Sequence, residues 1–377
     1  MKTFLTLMTG VLISATLSAQ QLSGPPSGDN QKARISQWIG PVEVTIKYNS
    51  PDVHAPNGED RTGKIWGTPV AHYGFINQGF GAGRPAPWRA GSNENTTITF
   101  SHDVKIEGKD LKAGTYGLSL AVAKEGPWTW VFSKNFTSWG SYFYNEAEDA
   151  LRVDVPAKDG SYTEYLTYGF DERKPSSAVA FLQWENKKIP FRIEAPAVND
   201  IYVASMRNEL RNSTGFDVRN YSAAANFCAN NKTNLEEALG WADRAMDPSI
   251  GGTEAFTMLQ AKANVLNAMG RGPEASAIMD KAIKLPSTSV QEIHQYGRLL
   301  INTGSKEKAM EVFQYNAKAH PEEKFTPNVG LARAYTAMGD KKNAIKYWEL
   351  AIMNIPENQK TNTALYEGEL KKLKESK

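Results

Sequence analysis

From residue 41 to 194 the apolar positions recur with period two. Val42, Val44, Ile46 and Tyr48 fall on one face of an extended segment, and Ile98 with Phe100 follow the same rule. Tyr116, Leu118, Leu120 and Val122 come next, then Trp128, Trp130 and Phe132. Leu151, Val153 and Val155, then Leu166, Tyr168 and Phe170, then Val179 and Phe181, and last Ile189, Phe191 and Ile193 complete the series. Successive side chains of a strand point to opposite faces, so this alternation predicts half-buried strands. Turn-forming clusters at Glu107–Asp110, Lys112–Gly114, Glu125–Pro127 and Lys158–Gly160 separate them. Many short strands without intervening helices predict an antiparallel β-sandwich, with a barrel as the alternative.

The period changes at Pro196. Ile201, Ser205, Met206 and Leu210 follow helical spacing, and a helical unit from about Tyr221 to Met246 carries small residues at Ala224, Ala225, Ala238, Ala242 and Ala245. A repeat then begins. Ala275, Ala309 and Ala344 are 34 and 35 residues apart, each followed at a fixed offset by a bulky apolar residue, Met279, Phe313 and Trp348. Pro286, Pro321 and Pro356 close the units. Small residues where helices touch, large ones where the next helix packs and a terminating proline predict a helix–turn–helix array. A polar helix from Thr361 to Lys374 is placed to cap its far end.

The expected organisation is a signal peptide at 1–19, a flexible lead-in at 20–35, a β-domain at 36–195, a helical linker at 196–220 and helical repeats at 221–377. The signal reading rests on Lys2, the apolar run from Phe4 to Leu17 and the small pair Ser18–Ala19. It implies an exported protein, periplasmic or secreted, soluble after cleavage. No later stretch approaches the 18 apolar residues of a membrane span. Cys228 is the single cysteine, so no intrachain disulfide forms. In its Ala-rich surroundings it reads as a buried structural thiol. A net charge of +2 gives no support for a nucleic-acid partner.

Residues 51–95 interrupt the alternation with a Gly- and Pro-rich stretch full of Trp, Tyr, Phe, Arg and His. A loop of that length inside a compact domain is functional or disordered, and its aromatics argue for order.

The repeats resemble the tetratricopeptide family in units at about 254–286, 290–321 and 325–356. Ala263, Gly297 and Ala332 match its small positions, Leu266, Leu300 and Tyr335 the next large one, and Gly339 the interhelix turn. The second unit departs at Asn316, where a small Ala is usual, which predicts looser packing there. Residues 35–195 resemble a secreted bacterial family catalogued as domain of unknown function 2911. The resemblance is carried by Trp88–Glu94, Thr97–Phe100, Ala113–Gly117, Trp128–Trp130 with Ser133–Asn135, and Asp149–Val153. It implies export and architecture, and no reaction.

Trp88 and Arg89 close the long loop. A guanidinium beside an indole suits carboxylates, phosphates or sugar hydroxyls. Asn93 and Glu94 add hydrogen-bonding groups, and Arg61 is placed to converge from the loop's start. Two readings stand: a polar pocket built from these five residues, or an Arg89–Glu94 ion pair pinning the loop with Trp88 as a core plug. His54, His72 and Asp60 offer the components of a zinc site without a ligand motif, and ordinary loop histidines account for them as well. No catalytic residue, metal or cofactor is assigned. In the repeats, the inner face of the first helices presents Gln260, Asn264, His294, Arg298 and Arg333, a polar groove suited to an extended peptide or acidic segment.

The function expected from this pattern is an exported, non-enzymatic binding or scaffold protein. Its β-domain recognises a polar ligand, glycan or peptide, and its repeats dock a protein partner. The alternative is an envelope hydrolase with its site in the 51–95 loop, which requires His54, His72 and an acid to converge.

Overall fold

The computed structural model describes residues 30–55 and 57–375. The expected signal peptide and residues 20–29 of the lead-in lie outside them. The chain divides into two units after Val198.

The N-terminal unit holds twelve described strands. They are β1 (Gln31–Ile39), β2 (Val42–Ser50), β3 (Ile76–Asn77), β4 (Pro85–Ala86), β5 (Thr97–Phe100), β6 (Val104–Ile106), β7 (Lys109–Leu111), β8 (Gly114–Ala121), β9 (Trp128–Ser133), β10 (Asp149–Val155), β11 (Lys158–Lys174) and β12 (Ser177–Glu194). One sheet runs β1-β2-β5-β8-β9-β10, a second β11-β12-β6-β7, and β3 pairs with β4. All the strand pairs are antiparallel.

The alternation predicted from sequence places the core. Val42, Val44 and Ile46 are fully buried, as are Leu118, Leu120, Trp130 and Phe132. The two larger sheets meet through rings. Trp130 of β9 lies 5.2 Å from Phe191 of β12, Phe132 lies 5.7 Å from the same ring, and Tyr48 of β2 lies 4.9 Å from Tyr168 of β11. Burying such a side chain contributes about 1.5–3 kcal/mol.

Three elements differ from the sequence reading. Residues 31–35 of the lead-in belong to β1, hydrogen-bonded along β2 from Gln31↔Ser50 onward. β1 is an edge strand buried fully only at Ile39, so its apolar signal is weak. Lys158–Gly160 is not a turn but the start of β11. β11 and β12 form one hairpin of 17- and 18-residue strands in place of several short ones. Their register shifts at Asp159/Thr163 and Thr163/Thr167, which breaks the period that would have joined them.

The C-terminal unit is helical: α1 (Val198–Glu209), α2 (Val218–Asn231), α3 (Leu235–Arg244), α4 (Phe256–Ala268), α5 (Gly272–Ala282), α6 (Val290–Asn302), α7 (Lys306–Ala319), α8 (Thr326–Met338), α9 (Lys341–Met353) and α10 (Thr363–Glu375). The repeat alanines Ala275, Ala309 and Ala344 are buried, as are Met279, Phe313 and Trp348. Phe313 shows why the small positions are small. A β-carbon built on Gly297 of α6 or Gly330 of α8 would stand 2.5 or 2.3 Å from its ring. α1 is part of the packing and not only a connector, because Val203 shares a buried cluster with Ala225, Cys228, Ala238 and Val265. At the far end Tyr366, Leu370 and Leu373 of α10 cover Phe325 and Trp348. Asn316 is fully buried. Its Nδ2 donates to the Val290 carbonyl at 2.9 Å, so the larger polar side chain ties α7 to the start of α6 where looser packing was expected.

Candidate functional site

The 51–95 segment is held to the β-domain by specific bonds. The Val53 amide donates to the Glu164 carbonyl at 2.9 Å, Gly74 to Val122 at 2.8 Å, and Leu120 returns a bond to Trp88 at 2.8 Å. The Gly63 amide donates to the carboxylate of Glu185, a buried residue at positive φ in β12. Trp66 sits among Trp88, Trp128 and Trp184, with ring centroids 5.8, 5.0 and 6.0 Å away. Trp88 stacks on Trp184. The segment's aromatics thus supply the apolar contacts that order it.

A cleft of about 790 Å³ opens beside this cluster, with Arg61, His72, Tyr73, Trp88, Arg89, Asn93, Tyr142 and Trp184 in its walls. Four of the five expected ligand residues therefore come together. Glu94 does not. Its carboxylate receives bonds from Lys32 Nζ at 2.7 Å and Asn49 Nδ2 at 3.0 Å, in a separate surface hollow. Lys32 is the main cause holding the Glu94 carboxyl below its ordinary range.

The expected Arg89–Glu94 ion pair is absent. Arg89 Nη1 donates to the Asn93 carbonyl at 2.5 Å, and the guanidinium lies 5.0 Å from the Tyr142 ring centre. It packs on Gly140, where a β-carbon would stand 2.3 Å from Arg89 Cζ. The intervening Ala90 and Asn93 both have positive φ, so the chain curls the Asn93 carbonyl back to the guanidinium and turns Glu94 toward β1 and β2. Arg61 is paired with Asp52 at 3.0 Å, while its buried Nε has no hydrogen-bond partner. Trp88 acts as the core plug of the second reading as well as a cleft wall.

His72 is 9% exposed, and neither ring nitrogen makes a well-formed hydrogen bond. Burial holds it below the ordinary histidine range, against a weaker opposing pull from the Tyr73 and Gly74 backbone. His54 is elsewhere engaged. Its Nδ1 lies 2.9 Å from Glu164 and its Nε2 3.6 Å from Asp60. Burial tends to raise the Glu164 carboxyl, but bonds from Tyr162 and His54 together bring it down to about 2. No group of three or more His, Cys, Asp or Glu able to hold a metal occurs among the described residues. Tyr142 and Trp184 were not anticipated as cleft residues, since nothing in their spacing links them to residue 89.

In the helical unit, Arg298 of α6 and Arg333 of α8 line two neighbouring clefts of about 440 and 210 Å³. His294 lines the larger with Gln291 and Thr326. Gln260 and Asn264 of α4 line neither, and Asn264 is bonded to Asn226 at 2.9 Å. Arg333 is largely buried, its Nε unpartnered, with the guanidinium 5.6 Å from the Trp348 ring centre. Burial, then Arg298, lowers its pKa. Of the acids at these clefts, Glu323 accepts from the Phe325 and Thr326 amides and Glu369 is paired with Lys372. Cys228 is buried, and burial raises its thiol pKa, as a structural thiol requires. No described helix is long and apolar enough to cross a membrane.

A family model described as protein of unknown function (DUF2911) matches residues 30–193, and a tetratricopeptide-repeat model matches residues 328–358. No curated protein matches the chain. Among solved structures, YrrB, described as a TPR protein with an unusual peptide-binding site, is 18% identical over 46% of this chain and 84% of its own, with a TM-score of 0.29. A tetratricopeptide-repeat protein from Parabacteroides merdae is 16% identical over 47% of this chain and 69% of its own, at 0.29. A MamA fragment from Desulfovibrio magneticus is 19% identical over 42% and 90%, at 0.26. Solenoids of such repeats serve as protein-binding scaffolds. Residues 30–193 thus match the family described as protein of unknown function (DUF2911), and residues 328–358, within the helical array, match the tetratricopeptide repeat.

Proposed function

We propose that this protein is an exported, non-enzymatic binding scaffold whose helical array docks an acidic segment of a protein partner, with the β-domain cleft as a second site for a polar ligand. The observation that carries the reading is the pair Arg298 and Arg333, which share both array clefts while the neighbouring carboxylates are already bonded. Two guanidiniums on adjacent first helices form a cationic strip beside the apolar faces of Phe325, Val329 and Trp348. An extended peptide bearing carboxylates matches that strip in charge and shape. Export rests on the charged and apolar start of the sequence.

The hydrolase alternative gains nothing from the geometry. His54 is committed to Glu164 and Asp60, and His72 lines the cleft without a carboxylate partner.

The test is fluorescence polarisation of a labelled Asp/Glu-rich decapeptide with the full-length protein. Saturable binding that weakens with salt and is lost in Arg298→Glu is expected. Arg298 is exposed, so that variant retains the fold. Binding unchanged in Arg298→Glu, or equal binding of the matching Asn/Gln peptide, overturns the reading.

A further inference from the structure

We infer that the β-domain cleft is a site for a small organic oxyanion, a carboxylate or phosphate on a flat apolar body, with Arg89 as its charge partner. The inference rests on reading the β-domain as a binding module and deepens it by naming the ligand class.

Four observations carry it. Arg89 meets no carboxylate among the described residues, and its hydrogen bond to the Asn93 carbonyl uses Nη1, which leaves Nε and Nη2 with donors to offer. A guanidinium presents planar paired donors that match the geometry of an oxyanion. The plane is held, since Tyr142 lies beside it and Gly140 beneath it. His72, 9% exposed, lines the same cleft, and neither of its ring nitrogens makes a well-formed hydrogen bond. A buried polar group without a partner is costly in a folded protein and marks a place where a ligand or water completes the bonding. Arg61 adds a second, unpartnered buried Nε to the lining.

The body of the ligand follows from the remaining walls. Tyr73 and Ile76 are exposed beside the cationic groups, and Trp88 and Tyr142 offer ring surface further in. Arg61 is already paired with Asp52, and none of the described residues lining the cleft is an Asp or Glu. The cleft therefore sets a guanidinium beside aromatic surface, and its size is that of a small-molecule site.

The experiment uses four probes on the full-length protein: benzoate, phenyl phosphate, the neutral isostere benzamide, and inorganic phosphate. Tryptophan fluorescence, to which Trp88 and Trp184 in the walls contribute, is followed up to about 10 mM probe, a range that captures millimolar affinity. Saturable binding of benzoate or phenyl phosphate, at least tenfold tighter than benzamide, supports the inference. The preferred member of the pair assigns carboxylate or phosphate. Inorganic phosphate binding more weakly than phenyl phosphate shows the role of the aromatic wall. Arg89→Lys is expected to weaken binding at least tenfold.

His72→Leu guards against a folding artefact, because His72 makes no well-formed hydrogen bond to lose. It should melt like the parent and still weaken binding severalfold. Equal affinity for benzoate and benzamide, no binding of any probe, or unchanged affinity in both variants overturns the assignment. Failure here leaves acidic-peptide capture through Arg298 untouched, and failure of that capture leaves these titrations untouched.

Discussion

The carboxylate of Glu94 faces Lys32 at 2.7 Å, while Arg89, five positions before it, donates instead to the carbonyl of Asn93. The ion pair that these opposite charges suggest is replaced by two separate contacts, one from the loop to β1 and one within the turn. The Lys32–Glu94 pair is largely exposed, with side-chain accessibilities of 64% and 39%. Exposed pairs contribute little because water screens them. Glu94→Gln is therefore expected to lower stability by less than about 1 kcal/mol in urea unfolding. A loss of several kcal/mol would show that the loop depends on this carboxylate after all.

Gly297 and Gly330 enclose Phe313 from two helices. Alanine is the better helix former by about 1 kcal/mol, so a helix-only argument predicts that either Gly→Ala change stabilises. The β-carbon would meet a fully buried ring at 2.5 or 2.3 Å, and overpacking costs about 1–3 kcal/mol. Both substitutions are expected to lower the Tm of the helical transition. A higher Tm would show that the ring has room to move.

His294 makes the stability of the array sensitive to pH. Burial first, then the charges of Arg333 and Arg298, lower it from 6.5 to about 4. The unfolded chain takes up this proton at higher pH than the folded one. The contribution is therefore complete above about pH 6.5 and is lost as pH falls toward 4. The shift corresponds to on the order of 3 kcal/mol. Urea unfolding across that window should show the loss, and His294→Leu should flatten it. A variant with the parent's pH slope would place the titrating group elsewhere.

Asn316 gives a prediction near zero. Replacing it with Ala removes the bond to the Val290 carbonyl and also an unpartnered, buried Oδ1. The two effects oppose each other, each about 1 kcal/mol or somewhat more. Asn316→Ala is expected to change unfolding free energy by less than about 1 kcal/mol. A loss well beyond that would assign the tie to Val290 a larger share in holding α7 against α6.

What the sequence determined by itself is the part of the structure that repeats. Period two placed Val42, Leu118 and Trp130 in a sheet core, and a 34-residue period placed Ala309 and Phe313 between helices, because a regular backbone turns spacing directly into direction. The same logic identified Arg298 and Arg333 on successive first helices. Only the tertiary structure decided the rest. Whether Glu94 met Arg89 or Lys32 depended on positive φ at Ala90 and Asn93, a local geometry that leaves no mark in hydrophobic spacing. Tyr142 and Trp184 reach the cleft from segments far from Arg89 in sequence, and no period links an irregular loop to the strands it covers. β11 and β12 hid their length for a related reason: shifts of register interrupt the alternation while the hydrogen-bonded ladder continues.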